Sequence, residues 1–372
     1  MIKVEKQLVT LNQDIAGQEI GIPVYRIFDS SVKHRTLVYI QSAVHAAEMQ
    51  GSAVIYKLIE QLQELTLNAE FVLVPNCNPF GRTQRAGEYL QGRYDATTGN
   101  NWNRFYHYDR NDTLQFVESL GDRVSVLSEE EVTSEFKQHL KHKLNEKIDR
   151  DWGVNTAQFL NTTLQELATD ADLVLDLHTG PSSTRHIYAP EFLSEQAQLF
   201  NIENIISIPV AFAGALDEAS FTPWCDLANS LAEKSIEYTY RVKAFTVELG
   251  SQENICLTQA EQDSLGILNY LQHNKLIQGF IPLELTEITT TLLKDYKTLF
   301  SKHAGMVEYL AKAGDKVEKG QVIARVLNSL EFDSKYAVID VRSPASGTVI
   351  LHYPSAAVQV GTQLYKIAKT SD

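Results

Sequence analysis

The chain is short of cysteine, of basic residues and of long apolar runs, and each shortage removes a class of function. Its three cysteines, Cys77, Cys225 and Cys256, form no C-x-x-C pair and cannot all pair with one another. That excludes a cysteine-based zinc ribbon and fits a reducing compartment, so a cytoplasmic location is expected. Lys and Arg number 33 against 47 Asp and Glu, a net charge of −14. Nucleic acid and anionic membrane surfaces are therefore not expected partners. No run approaches the ~18 apolar residues of a membrane span. The opening stretch MIKVEKQLVTLNQDIAG lacks the apolar core of a secretory signal. What is left, 44% apolar and 22% charged over 372 residues, is the profile of a globular chain with room for two domains.

Along the first two-thirds, strand-like and helix-like segments alternate. Apolar runs at 38–41, 71–75, 173–177, 206–210 and 245–249 read as strands, and helical patterns fall at 49–64, 134–148, 155–169 and 261–275. This alternation predicts an α/β fold on a mainly parallel or mixed sheet. In such sheets reactive residues gather at the carboxyl ends of strands, where His45, Asn76, His178 and Glu248 fall. The stretch 107–152 is dense in charge and helical in its second half, and reads as an insertion: a lid, a contact surface or a plain surface helix. After about residue 290 two similar segments follow, AGMVEYLAKAGDKVEKGQVIARVL and VRSPASGTVILHYPSAAVQVGTQLYKIA. Gly305, Gly314, Gly320, Gly347 and Gly361 punctuate them as turn residues, predicting a small pseudo-symmetric all-β module. The expected domains are thus 1–290 and 291–372.

His45 and Glu48 stand three apart between a strand and a helix, in an otherwise small and apolar segment, VYIQSAVHAAEMQGSAVIYKLIEQL. At that spacing an imidazole nitrogen and a carboxylate converge on one point. A catalytic zinc wants three protein ligands and an open position, so a third ligand must come from elsewhere. His178, closing the apolar run ADLVLDLHTG, is the best placed, with His186 as a fallback. His139 and His142 lie in the charged insertion, and His303 and His352 in the β module. Hydrolysis also needs a base. Glu248, ending the apolar run KAFTVELG, sits where partial desolvation favours that work. A third segment, VPNCNPFGRTQRAGEYLQGRYDATTGNNWNRFY, places Arg82, Arg85, Arg93 and Arg104 within 23 positions. In so acidic a chain this cluster points to an anionic substrate group.

The ordered set His45-x-x-Glu48, Asn78-Pro79, Asn103-Arg104, Asp176-Leu177-His178 and Glu248 resembles the zinc carboxypeptidase superfamily. It is most similar to the succinylglutamate desuccinylase/aspartoacylase branch, whose members cleave an amide to release an amino acid. The likeness spans about residues 35–250. It implies one zinc per chain held by His45, Glu48 and His178, with Glu248 as general base. It implies that Asn103 and Arg104 hold a substrate carboxylate, and that one further arginine polarises the scissile carbonyl. Arg85 is favoured there, with Arg93 and Arg82 behind it. Asp176 and Asn101 fall where groups behind the ligands are expected. Relatives often carry Asp at the second position, bracing a zinc-bound histidine, and the amide of Asn101 would raise ligand basicity less. The C-terminal module resembles the barrel-sandwich fold of biotinyl and lipoyl domains. Its linking stretch LNSLEFDSKYAVID carries one lysine, Lys335, without the neighbouring Met of a modification site. A structural, gating or homo-oligomer-forming role is expected for it.

The expected activity is zinc-dependent hydrolysis of a small, carboxylate-bearing N-acyl amino acid or similar amide. A carboxypeptidase acting on peptide C-termini would use the same groups. A binding or scaffold protein that kept the fold without turnover is the rival of another class.

Overall fold

The structure, a computed structural model, describes residues 1–33, 36–150, 152–239 and 242–370. Asp151, within the charged stretch 107–152, lies outside them. The chain forms two compact units. The first comprises 1–178, 210–246 and 255–283; the second comprises 179–209, 247–254 and 284–372.

In the first unit the hydrogen-bonded strand order is Ile2–Gln13, Glu19–Asp29, Ala69–Val74, Thr36–Ser42 and Leu173–Gly180. The first two form an antiparallel hairpin, and Glu19–Asp29 runs antiparallel to Ala69–Val74. Thr36–Ser42 is parallel to both its neighbours. The fold is therefore mixed α/β. Ala69–Val74 and Leu173–Gly180 are buried at every residue, the signature of strands covered on both faces. That is why apolar residues dominate their sequences, as at 71–74 and 173–175. Ile2–Gln13 is the opposite case, an edge strand with one buried residue, Leu11.

Helices Gln50–Leu62 and Leu257–His273 bury their apolar faces in this unit. Glu129–Ile148 and Thr156–Thr169 each begin with a capping box, Ser128 with Glu131 and Asn155 with Gln158, which satisfies orphan amide groups of the first turn. The charged stretch folds as two helices, Arg110–Leu120 and Glu129–Ile148. Their inner faces share a core: Phe116, Val117, Leu120, Val132 and Phe136 pack with Trp224, Leu227 and Leu231. The charge visible in the sequence is the outer face of two packed helices.

In the second unit Arg185–Pro190, Asn204–Ile208 and Thr289–Leu292 lie side by side, parallel. Two further sheets follow. One orders Tyr296–Phe300, Gln363–Lys369, Gly347–His352 and Lys316–Val317; the other orders Val338–Arg342, Val322–Leu327, Gly305–Tyr309 and Ala357–Val358. Both contribute to one apolar cluster, with Val307, Ile323 and Val326 from one and Val349, Leu364 and Ile367 from the other. The two similar sequence segments exchange their short strands. Lys316–Val317 pairs with Gly347–Thr348, and Ala357–Val358 pairs with Gly305–Met306. Gly347 has to be glycine, because a Cβ there would lie 2.1 Å from the Ala368 carbonyl oxygen.

Candidate metal centre and active site

His45 and Glu48 leave the carboxyl end of Thr36–Ser42 in a tight turn rather than in the first turn of the helix. The turn is closed by the Glu48 amide donating to the His45 carbonyl at 2.9 Å. The chain enters it through Ala43, which takes φ 64° while 1% exposed, a left-handed conformation costly for a residue with a Cβ. Helix Gln50–Leu62 then begins against the sheet. Gly51 permits that approach, since a Cβ there would meet Leu177 Cβ at 2.7 Å. His178 comes from Leu173–Gly180, the strand beside Thr36–Ser42, with Ser42 opposite Leu177.

The three side chains converge. His45 Nδ1 lies 3.0 Å from Glu48 Oε1, and His178 Nδ1 lies 2.9 Å from Glu48 Oε2. A ligand atom from each falls within 4.8 Å of the others, and all three residues are buried. The far nitrogen of each ring faces an oxygen. His45 Nε2 is 2.6 Å from Asn101 Oδ1, and His178 Nε2 is 2.9 Å from Asp176 Oδ2. Asp176 and His178 are two apart on one strand and so share a face. Gln41 steadies that carboxylate: its amide donates to Asp176 Oδ1 at 2.9 Å and lies 3.1 Å from the Tyr106 hydroxyl.

Protonation follows from these contacts. Asn101 Oδ1 also accepts the Asn103 amide at 2.9 Å, so it is an acceptor and His45 Nε2 carries the hydrogen. Burial then holds His45 below the ordinary histidine range, against the pull of Glu48, and leaves a lone pair on Nδ1. Burial opposes the charge on Glu48, but His45, Arg93 and the bond from His178 outweigh it and hold the carboxyl well below its usual range. A lone pair facing a carboxylate 3.0 Å away calls for a cation between them. His178 shows the same demand: burial works against its charge, yet Asp176 and Glu48 on either side raise it well above the ordinary value. Two imidazoles and one carboxylate, each imidazole backed by an oxygen, suit a divalent ion of the zinc type. Asn103 adds a further sign of a polar ligand. It is 6% exposed, its Nδ2 lies 3.4 Å from His178 Nε2, and its Oδ1 is buried without a hydrogen-bond partner among the described residues.

Of the four arginines singled out from the sequence, Arg93 reaches this group. Its guanidinium donates to Glu48 Oε1 at 2.5 Å. The loop is held there by Ala46, whose amide donates to the Gly92 carbonyl at 3.0 Å. Gly92, at φ +62°, has no room for a Cβ against Ala46. Arg104 is exposed and donates to the Asn103 carbonyl at 2.6 Å. Arg82 lies exposed in the turn Gly81–Thr83, and Arg85 lies exposed on a two-residue strand paired with Tyr89–Leu90. Asn78 locks the start of this loop, donating to the Val44 carbonyl at 2.7 Å and accepting the Gly81 amide at 2.8 Å. Glu248 sits on Lys243–Ser251, in the part of that strand belonging to the second unit, with one carboxylate oxygen fully buried. His186 belongs to the second unit as well and is buried. Gln41 and Tyr106 carried no signal in the sequence, because a glutamine inside an apolar run and a tyrosine in a loop look the same whether or not they brace a carboxylate.

A mixed α/β fold with a buried His-Glu-His set at the ends of parallel strands defines the class: a scaffold with a candidate metal centre. Comparison with known proteins narrows it. Residues 35–274 match the model of the succinylglutamate desuccinylase/aspartoacylase catalytic domain. A crystal structure of a succinylglutamate desuccinylase/aspartoacylase-type protein from Shewanella frigidimarina NCIMB 400 is 36% identical. It superposes with a TM-score of 0.94 over 100% of this chain and 98% of that one. A family protein from Shewanella amazonensis SB2B is 39% identical, with a TM-score of 0.92 over 98% of each chain. N-alpha-acetyl-L-2,4-diaminobutyric acid deacetylase of Halomonas elongata is 26% identical over 208 residues, 54% of this chain. The match spans 56% of that enzyme's length. The chain belongs to the succinylglutamate desuccinylase/aspartoacylase family, a family of amide deacylases. Among the described residues no helix is long and apolar enough to cross a membrane.

Proposed function

We propose that the protein is a zinc-dependent deacylase that releases an amino acid or amine from a small, N-acylated, carboxylate-bearing substrate. One observation carries the reading: the Nδ1 atoms of His45 and His178 meet the two oxygens of one buried carboxylate, Glu48. These three residues would hold one zinc. When bound, the ion would supply Lewis acidity, drawing electron density from a carbonyl oxygen and easing loss of a proton from water. Asn101 and Asp176 keep the ring nitrogens turned inward.

Glu248 takes the proton from the attacking water at its carboxylate and passes it to the departing amine nitrogen. One C–N bond breaks, one C–O bond forms, and the products are a carboxylate and an amine. Arg93 is assigned the oxyanion-stabilising role ahead of Arg85, because its guanidinium reaches the ligand set while Arg85 is exposed on its short strand. Asn103, through its side-chain amide nitrogen, and Arg104 beside it are assigned the substrate carboxylate, and Arg82 a supporting place at the rim. An acyl amino acid suits both this arginine group and the name of the Halomonas elongata relative. Residues 1–290 form the catalytic part and 291–372 a barrel-sandwich module that completes it or joins copies of the chain, in a cytoplasmic setting.

Elemental analysis of purified protein and two variants tests this reading. About one zinc per chain is expected in the wild type, with loss in His178→Ala. Glu248→Gln should keep the metal and lose about 10²–10⁴-fold in turnover of N-acyl amino acids. A wild type that stays metal-free after zinc is supplied, or a Glu248→Gln variant with undiminished turnover, would sink it.

A further inference from the structure

At the amino ends of Thr36–Ser42 and Leu173–Gly180, away from the ligand set, the first unit holds a cleft of about 690 Å³. That size suits a small-molecule site. Thr36, Leu173 and Lys243, each the first residue of its strand, line it. Its charged lining is cationic for so acidic a chain: Lys33, Lys137 and Lys243 against Asp172 and Glu130. Asp172 is already engaged. Its Oδ2 accepts the Leu37 amide at 2.9 Å, and its Oδ1 lies 3.3 Å from Lys137 Nζ. Lys137 also donates to the Asp170 carbonyl at 2.7 Å. Glu130 is exposed, in the first turn of Glu129–Ile148.

Lys243 is different. Its backbone amide is tied to the Asp172 carbonyl at 2.9 Å, but its half-buried ammonium donates to a neutral group, Asn274 Oδ1, at 2.7 Å. Asn274 Nδ2 donates to the Tyr270 carbonyl at 2.9 Å, which turns the amide oxygen toward the lysine. Neither Lys243 nor Lys33 has a carboxylate partner among the described residues. His34, Arg35, Tyr240 and Arg241, which adjoin this stretch in sequence, include no carboxylate either. A partly desolvated charge without a counter-charge is costly, and burial pulls the Lys243 ammonium below the ordinary lysine range. A lysine that served solubility alone would extend its head into water.

We propose that this cleft is a second binding site, for a small doubly charged oxyanion such as phosphate or a dicarboxylate, with Lys243 and Lys33 as its charged contacts. Two ammonium groups without carboxylate partners call for two negative charges. His178 stands five residues beyond Leu173 on the same strand, about 16 Å away, so one small anion cannot span this cleft and the candidate metal centre. The proposal is independent of the hydrolase reading.

Calorimetric titration of the full-length chain with inorganic phosphate and with succinate, at an ionic strength fixed with chloride, tests it. Saturable binding with a Kd of about 1 mM or tighter is expected for at least one probe, and the tighter of the two names the class of anion. Lys243→Met should weaken that binding about tenfold or more, and Lys33→Ala about threefold. Lys302→Ala, in the C-terminal module, should leave it unchanged. Lys243→Met keeps the apolar stem and removes a partly desolvated charge, so it should fold; the exposed Lys33 carries the test if it does not. An anion held at the candidate metal centre would ignore both lysines. Binding that survives both substitutions at wild-type strength therefore overturns the proposal, as does the absence of saturable binding of either probe.

Discussion

Replacing Gly51 with alanine tests whether the ligand set depends on the close approach of helix to sheet. Gly51 is the second residue of Gln50–Leu62. An added Cβ would lie 2.7 Å from Leu177 Cβ and 2.9 Å from Ser42 Cβ. Both are roots of their side chains and cannot rotate away, unlike Ser42 Oγ at 2.5 Å. Comfortable carbon contacts begin at about 3.5 Å, so the helix must withdraw by roughly 1 Å. Alanine gains up to about 1 kcal/mol over glycine in a helix, whereas overpacking costs about 1–3 kcal/mol. At the upper end, which contact with side-chain roots favours, the net loss is about 2 kcal/mol, or roughly 3 °C in Tm. Glu48 stands three residues before Gly51, and His178 follows Leu177, so the same movement parts the ligands. Zinc affinity should fall about tenfold or more, by analogy with lost ligand support. Thermal unfolding by circular dichroism and competition with a chelator measure the two effects. A variant melting at or above wild type, with unchanged zinc affinity, would refute the reasoning.

Two further outcomes follow from the groups around the site. Asn101→Asp should tighten zinc, by up to about 10–100-fold, because a carboxylate behind His45 Nε2 makes the imidazole a better donor; equal or weaker binding in chelator competition would count against it. Asp217 is 2% exposed, and burial, then the charges of Glu218 and Asp176, push it up to about 7. Its folded-state pKa lies above the unfolded value of about 3.9. The folded chain thus holds the extra proton between about pH 4 and 7, and this contribution to stability is lost as pH rises through that window. Asp217→Asn removes the ionisation, so its stability relative to wild type, read from Tm, should rise from pH 5 to pH 8 by up to about 2.6 kcal/mol. A gap that stays constant with pH would show that Asp217 titrates normally.

How much of this was legible beforehand depended on burial and on chain separation. Strands covered on both faces announced themselves, as at Leu173–Gly180. The hairpin Ile2–Gln13/Glu19–Asp29 did not, because its first strand has almost no inner face to write an alternating pattern. Helix Leu216–Ala232 was hidden by Pro223 within it, a residue that ordinarily ends a helix. The His45 and Glu48 pairing could be read from spacing, and His178 from its place at the end of an apolar run. The choice among arginines could not, because Arg82, Arg85 and Arg93 lie on one irregular loop. Which of them turns inward rests on Gly92 packing against Ala46, a contact between residues 46 apart in the chain.

The way the second unit is assembled has a consequence for synthesis. Its pieces are scattered through the chain, and Gln363–Lys369, its last strand to be made, is an inner strand between Tyr296–Phe300 and Gly347–His352. A sheet with its middle strand missing cannot close, and pairings so distant in sequence form late. A growing chain can order the segments carrying His45 and Glu48 early, since domains tend to fold as they emerge. The unit that holds Glu248 must wait until Gln363–Lys369 has left the ribosome. On the reading given above, the nascent protein acquires its ligands first and its base last, and gains its full hydrolytic set only once that strand is in place.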